Sequence, residues 1–257
     1  MEKALFPTGA ALVFGGSGGI GRSVARSFAE AGSDVAVGYH SKAEAAQSLA
    51  NDIEGMGRKV SVHRGDVRDR EQVEALFEAV AAAHGRVHTI VWAAGPLVDQ
   101  VKLGDMTHDQ WRRAIDIEVH GFFNAVQAAL PHFRAQGGGS FVTLGSAGHM
   151  CWPEKDGLSV APKASNESLV RGIAKEEGRN NIRANSVLVG VIEAGMFLEL
   201  TRQGVFDAEW VADVQKGLAL KRWGQPEEIG HAAVFLASSR AAYVTGQQIN
   251  VSGGYGI

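Results

Sequence analysis

The residues best suited by type and spacing to do chemistry are Gly15-Gly16-Ser17-Gly18-Gly19-Ile20-Gly21. A short apolar run precedes them, and an amphipathic segment opening Arg22-Ser23-Val24-Ala25 follows. Strand, glycine-rich turn and helix in that order make a phosphate cradle. The glycines let the backbone approach a pyrophosphate, and the helix N-terminus offers free N–H groups with a partial positive charge. The ligand expected at Gly15, Ser17, Gly18, Gly19, Ile20 and Gly21 is a dinucleotide. A carboxylate closing the second strand would accept hydrogen bonds from the adenosine ribose and repel a 2′-phosphate. This chain instead places Tyr39-His40-Ser41-Lys42 there. Ser41 supplies a hydrogen bond, Lys42 a charge, and His40 a second charge when protonated, so NADP(H) is expected ahead of NAD(H).

Such a turn works only if strands and helices alternate around it. Short apolar runs over 10–14, 35–37, 60–62, 89–92, 141–144 and 184–189 are almost free of charge, as strands buried on both faces are. Helical spacing fills the intervals at 21–31, 42–55, 71–84, 110–136, 164–178 and 226–237. The expected fold is α/β: a Rossmann-like doubly wound parallel sheet in three layers, with its ligand crevice at the carboxyl ends of the strands. Residues 247–251 add a closing strand, 252–257 a glycine-rich tail, and 193–220 a candidate lid.

At 257 residues, with 45% hydrophobic and 21% charged residues, the chain reads as one domain over 1–257. A net charge of −3 gives no footprint for nucleic acid or an anionic membrane. The lone Cys151 has no internal disulfide partner, and no apolar run is long enough for export or spanning, so a cytoplasmic protein is expected. No metal is expected.

Over essentially its whole length the chain resembles a classical short-chain dehydrogenase/reductase. Gly15, Gly19 and Gly21 stand where that family has the glycines of TGxxxGxG, with Phe14 at the threonine. Asp66-Val67 resembles its adenine-contacting pair, and Ala93-Ala94-Gly95 the end of NNAG, with Trp92 at the first asparagine. Trp223-Gly224-Gln225-Pro226-Glu227-Glu228-Ile229 and Tyr243-Val244-Thr245-Gly246-Gln247 match its closing pattern. The resemblance implies catalysis by a serine, a tyrosine, a lysine and an asparagine. Ser146 matches the serine and Lys163 the lysine, but the tyrosine position of YxxxK is Ser159 and the asparagine position is Glu118. The loop PGxxxT becomes Val189-Gly190-Val191-Ile192-Glu193-Ala194, leaving Gly190 and Ile192 toward the cofactor. Pro162 falls just before Lys163, tolerable in a helix's first turn. The resemblance also implies a homodimer or homotetramer.

A serine hydroxyl is far less acidic than a phenol, so Ser159 is no like-for-like proton donor. His149, three residues after Ser146, titrates near neutrality and is one substitute on the crevice loop. Glu118 can pair with Lys163 across the facing helices. Glu154 and Asp156 are further loop carboxylates, of the kind that is mostly solvated. Met150, Trp152, Leu158, Met196 and Phe197 suggest an apolar or aromatic substrate. Three readings stand: an NADP(H)-dependent oxidoreductase acting on a carbonyl or alcohol with an altered tetrad, a non-redox lyase or isomerase, and a catalytically silent cofactor-binding subunit.

Overall fold

The computed structural model describes residues 4–256; residues 1–3 and 257, the last of the tail, lie outside the described residues. The chain runs β1 (Ala10–Phe14), α1 (Gly19–Glu30), β2 (Asp34–Tyr39), α2 (Ala43–Gly55), β3 (Val60–Arg64), α3 (Arg70–His84) and β4 (Val87–Trp92). It continues through α4 (His108–Ile115), α5 (Gly121–Ala135), β5 (Gly139–Ser146), α6 (Gly157–Glu177) and β6 (Ile182–Val189). The last elements are α7 (Met196–Arg202), α8 (Ala208–Gly217), α9 (Pro226–Ala237) and β7 (Gln248–Val251). All seven strands are parallel, in the order β3-β2-β1-β4-β5-β6-β7.

The strands are apolar throughout because both faces of the sheet are covered. In β1, Ala11 and Val13 pack with Val24 and Phe28 of α1, Leu49 of α2, and Ile229 and Leu236 of α9. The alternate residues Leu12 and Phe14 pack on the other face with Phe77 of α3, Phe122 and Phe133 of α5, and Ile173 of α6. This is the two-residue period of a strand feeding two cores. Each fully buried Phe or Ile contributes about 1.5–3 kcal/mol. Strand order reverses between β1 and β4, and the crevice of a doubly wound sheet opens at such a point, beyond the carboxyl ends.

Two helices differ from the sequence expectation. α6 begins at Gly157 rather than 164, which places Pro162 in the second turn. The missing N–H there costs one intrahelical bond, and Pro162 is buried, so packing holds the helix where propensity does not. The helix expected over 110–136 is interrupted at Asp116–His120, which winds as a single π-helical turn between α4 and α5. Residues 193–220 fold into α7 and α8, over the crevice side of the sheet. Among the described residues no helix is long and apolar enough to cross a membrane.

Candidate active site

A cavity of roughly 1060 Å³ opens at the switch point. It brings together Gly18, Gly19, Ile20, Gly21, Lys42, Ala93, Ala94, Gly95, Glu118, Ser146, Ser159, Lys163, Gly190 and Ile192. Gly15 and Ser17 are set back in the turn. Tyr39, His40, Ser41, Asp66 and Val67 do not border this cavity; they lie at and beyond the carboxyl ends of β2 and β3.

The glycine turn is built from backbone. No side chain caps α1 at Gly18, so the N–H groups of its first turn remain for a ligand. A β-carbon on Gly21 would collide with the carbonyl oxygen of Gly15, and one on Gly19 with the backbone nitrogen of Gly195 just before α7. A bare backbone, a helix N-terminus and Lys42 at the cavity edge fit the pyrophosphate of a dinucleotide. Arg68 grips the Asp66 carboxylate at 2.6 Å, and this hydrogen bonding holds the Asp66 carboxyl at about 2. His40 Nε2 lies 3.7 Å from the same carboxylate.

The opposite wall is made of side chains on α6. Lys163 Nζ donates to Glu118 Oε2 at 3.1 Å, and Glu118 is 2% exposed. Burial pushes the Glu118 carboxyl up, while the charge and hydrogen bond of Lys163 draw it back. The π turn explains the placement, since Glu118 is the one residue of Asp116–His120 that it buries. Its backbone oxygen accepts from Asn166 Nδ2 at 3.0 Å, tying the turn to α6. A β-carbon on Gly95 would stand 2.7 Å from Glu118 Oε2 and 3.8 Å from Lys163 Nζ, so the end of Ala93-Ala94-Gly95 must be bare for the pair to fit. Trp92 fills the core between Phe14 and Phe122, at ring separations of 5.4 and 5.7 Å. Its indole N–H is near enough to favour ionised Glu118, yet meets no hydrogen-bond geometry. Ser146 Oγ accepts from the Gly148 N–H at 3.0 Å. Ser159 borders the cavity from the first turn of α6, and its hydroxyl makes no hydrogen bond among the described residues.

Several expected positions are corrected. His149 does not border the cavity. The tight turn Ala147–Met150 carries it to the other side of the loop, where its charge bears on the buried carboxylate of Glu167 and its Nδ1 has no partner. Met150 and Trp152 are exposed outside the cavity, and Leu158 is buried in a separate cluster with Val98 and Ala114. Met196 and Phe197 do line it, joined by Phe206 and Trp210, whose rings stack at 3.8 Å.

Gln100 and Tyr255, given no role in the sequence, line the cavity together with the loop carboxylate Asp156. Gln100 Nε2 donates to Asp156 Oδ1 at 3.1 Å, and burial pushes the Asp156 carboxyl up, so this carboxylate is not simply solvated. Tyr255 folds back from the tail against Cys151, and burial together with Cys151 pushes its phenol up to about 12. Glu154, by contrast, is an exposed partner of Lys102 at 2.9 Å.

The family model described as enoyl-(acyl carrier protein) reductase matches residues 15–256. The chain is 33% identical to 3-oxoacyl-(acyl-carrier-protein) reductase FabG of Staphylococcus aureus over 96% of this chain and 98% of that protein. It is 35% identical to an L-rhamnose 1-dehydrogenase (NAD(P)(+)) of Sphingomonas sp., over 95% of this chain and 94% of that one. Its fold superposes on carveol dehydrogenase from Mycobacterium avium in complex with NAD with a TM-score of 0.91 at 28% identity, covering 98% of this chain and 99% of that one. With the glycine cradle, the seven-stranded parallel sheet and the α6 lysine in place, the chain belongs to the short-chain dehydrogenase/reductase family and is an oxidoreductase of that type.

Proposed function

We propose that this protein is an NADP(H)-dependent oxidoreductase that interconverts an apolar ketone and its alcohol, using an altered tetrad in which Ser159 stands at the tyrosine position. The observation that carries the reading is the Lys163–Glu118 pair facing a cavity shared with Ser146 and the glycine cradle. The cradle holds the pyrophosphate on its free N–H groups, and Lys42 with Ser41 favours a 2′-phosphate over a bare ribose. Reduced nicotinamide, when bound, supplies the hydride. Lys163, held in place by Glu118, orients the adjoining ribose, and Ser146 donates to the substrate oxygen. Phe197, Phe206 and Trp210 of the lid segment present an apolar, aromatic wall to the rest of the substrate. An exposed Phe123 on α5 and Trp111 on α4 support assembly into a homodimer or homotetramer. We further take the protein to be cytoplasmic, in keeping with its lone cysteine.

The test is a titration with NADPH and NADH, followed by supply of cyclic apolar ketones. NADPH binding more tightly than NADH, and its consumption only when ketone is present, are the expected results. Binding of neither nucleotide would overturn the reading.

A further inference from the structure

Four carboxylates border the cavity: Glu118, Glu154, Asp156 and Glu199. Glu154 is paired with Lys102, and Glu199 with Arg202; both are drawn down by those partners, Glu199 to about 2. Glu118 is committed to Lys163. Asp156 alone has no cation in contact. Among the described residues its one side-chain hydrogen bond is from the amide of Gln100 to Oδ1, which leaves Oδ2 without a partner there.

The backbone carries Asp156 to the right place. Asp156 is the N-cap residue of α6, and Asp156, Ser159 and Lys163 follow at helical spacing along the face that borders the cavity. Side chains on a helix lean toward its N-terminus, so a long side chain at 159 would extend over the turn that holds Asp156. Serine stops short and leaves that space open to the carboxyl. The supporting loop is fixed on purpose-built ties. Trp152 and Lys155 hold left-handed backbone at φ 47° and 70°, and Val101 N–H donates to the Lys155 carbonyl at 3.0 Å. With the Gln100 bond and the Lys102–Glu154 ion pair, these contacts tie residues 100–102 to the loop before α6. Non-glycine residues held in this backbone region are strained and concentrate at functional sites.

We propose that Asp156 is the proton donor of this enzyme, delivering its carboxyl proton across the space left by Ser159 to the oxygen of the substrate carbonyl. The inference rests on the oxidoreductase reading above. In reduction, the Asp156 O–H bond breaks as the substrate O–H bond forms, while the carbonyl carbon gains a C–H bond from the hydride of a reduced nicotinamide. The ketone is reduced by two electrons, the nicotinamide is oxidised, and the Asp156 carboxylate left behind recovers a proton from water at the cavity mouth. Burial favours the protonated acid needed for this step, against the Gln100 hydrogen bond and the charge of Lys163. The titratable groups that face Asp156 are Lys163 on α6 and Tyr255 on the tail; Glu154, beside it in sequence, is neutralised by Lys102.

The experiment pairs two readouts on wild type and Asp156→Asn. The first is a pH titration by infrared difference spectroscopy without nucleotide, following the C=O band of a protonated carboxylic acid. A band that persists above the ordinary aspartate range and is missing from Asp156→Asn is expected; an Asp156 that titrates as an ordinary aspartate overturns the proposal. The second is the pH profile of NADPH-dependent ketone reduction. Asp156→Asn should lose about 100-fold in kcat with NADPH affinity unchanged, and wild-type kcat should fall as pH rises through the Asp156 titration. A variant within about twofold of wild type overturns the proposal while leaving the oxidoreductase reading intact. A wild type that binds no NADPH sinks that reading and the proton-transfer step with it.

Discussion

The two walls of the cavity are made differently. The cradle between β1 and α1 works through backbone N–H groups and the absence of β-carbons, whereas the α6 wall works through the charges and hydroxyls of side chains. A backbone site tolerates change around it as long as its glycines stay. A side-chain site changes its chemistry with each substitution and must re-pair every buried charge. On the α6 wall the buried Glu118 carboxylate meets Lys163 directly.

The largest expected effect lies on the side-chain wall. Lys163→Met strands the Glu118 carboxylate in the interior and should destabilise the fold by about 3 kcal/mol at neutral pH, as loss of one partner of a buried pair does. Chemical denaturation would read it, and the loss should shrink in acid as Glu118 takes up a proton. A variant as stable as wild type at neutral pH would show that the pair is not structurally coupled.

On the backbone wall, Gly19→Asp sets a β-carbon against Gly195 and a negative charge against the pyrophosphate. NADPH affinity should fall at least about 100-fold, near 2.7 kcal/mol. Binding fluorescence checks this, and retained affinity would place the nucleotide elsewhere.

Position 159 and its neighbour Asp156 should be coupled. Placing Ser159→Tyr in an Asp156→Asn background should recover ketone reduction by about tenfold, since a phenol beside Lys163 again offers an acid. No recovery, in a double variant that still folds and binds NADPH, would mean that the space above Ser159 does not reach the substrate oxygen.

Much of this contrast was legible in the sequence, and the reasons for the rest are physical. β1 was expected at the bounds the structure gives it, because a strand buried on both faces is unbroken by charge and is followed by glycine. The start of α6 was hidden, because Gly157, Ser159 and Pro162 are poor helix formers that tertiary packing overrides. The π turn leaves no mark in composition, so the burial of Glu118 could be suspected from the resemblance but not read from spacing. Asp156 depends on Gln100, a residue 56 positions away, and local pattern carries no such information. His149 shows the converse error, for a tight turn decided which side of the loop it faces.

A smaller effect is expected at the adenosine end. Lys42→Glu should shift the NADPH-to-NADH affinity ratio by about tenfold toward NADH, most clearly at low salt. An unchanged ratio would remove Lys42 from cofactor selection. The smallest concerns pH and stability. The buried Glu118, Glu167 and Asp156 carboxyls all lie above their ordinary range in the folded protein. Their contribution is fully present below the unfolded-state values and is lost as pH rises through the folded ones. Melting temperature should therefore decline over that window, by less in Asp156→Asn.

The most direct measurement follows the hydride. With NADPH carrying deuterium at the transferable position of C4 and a cyclic apolar ketone as substrate, the product alcohol should carry one deuterium on its carbinol carbon, read by mass spectrometry. Product alcohol without deuterium, or nucleotide bound and never consumed, would contradict an oxidoreductase acting through this cavity.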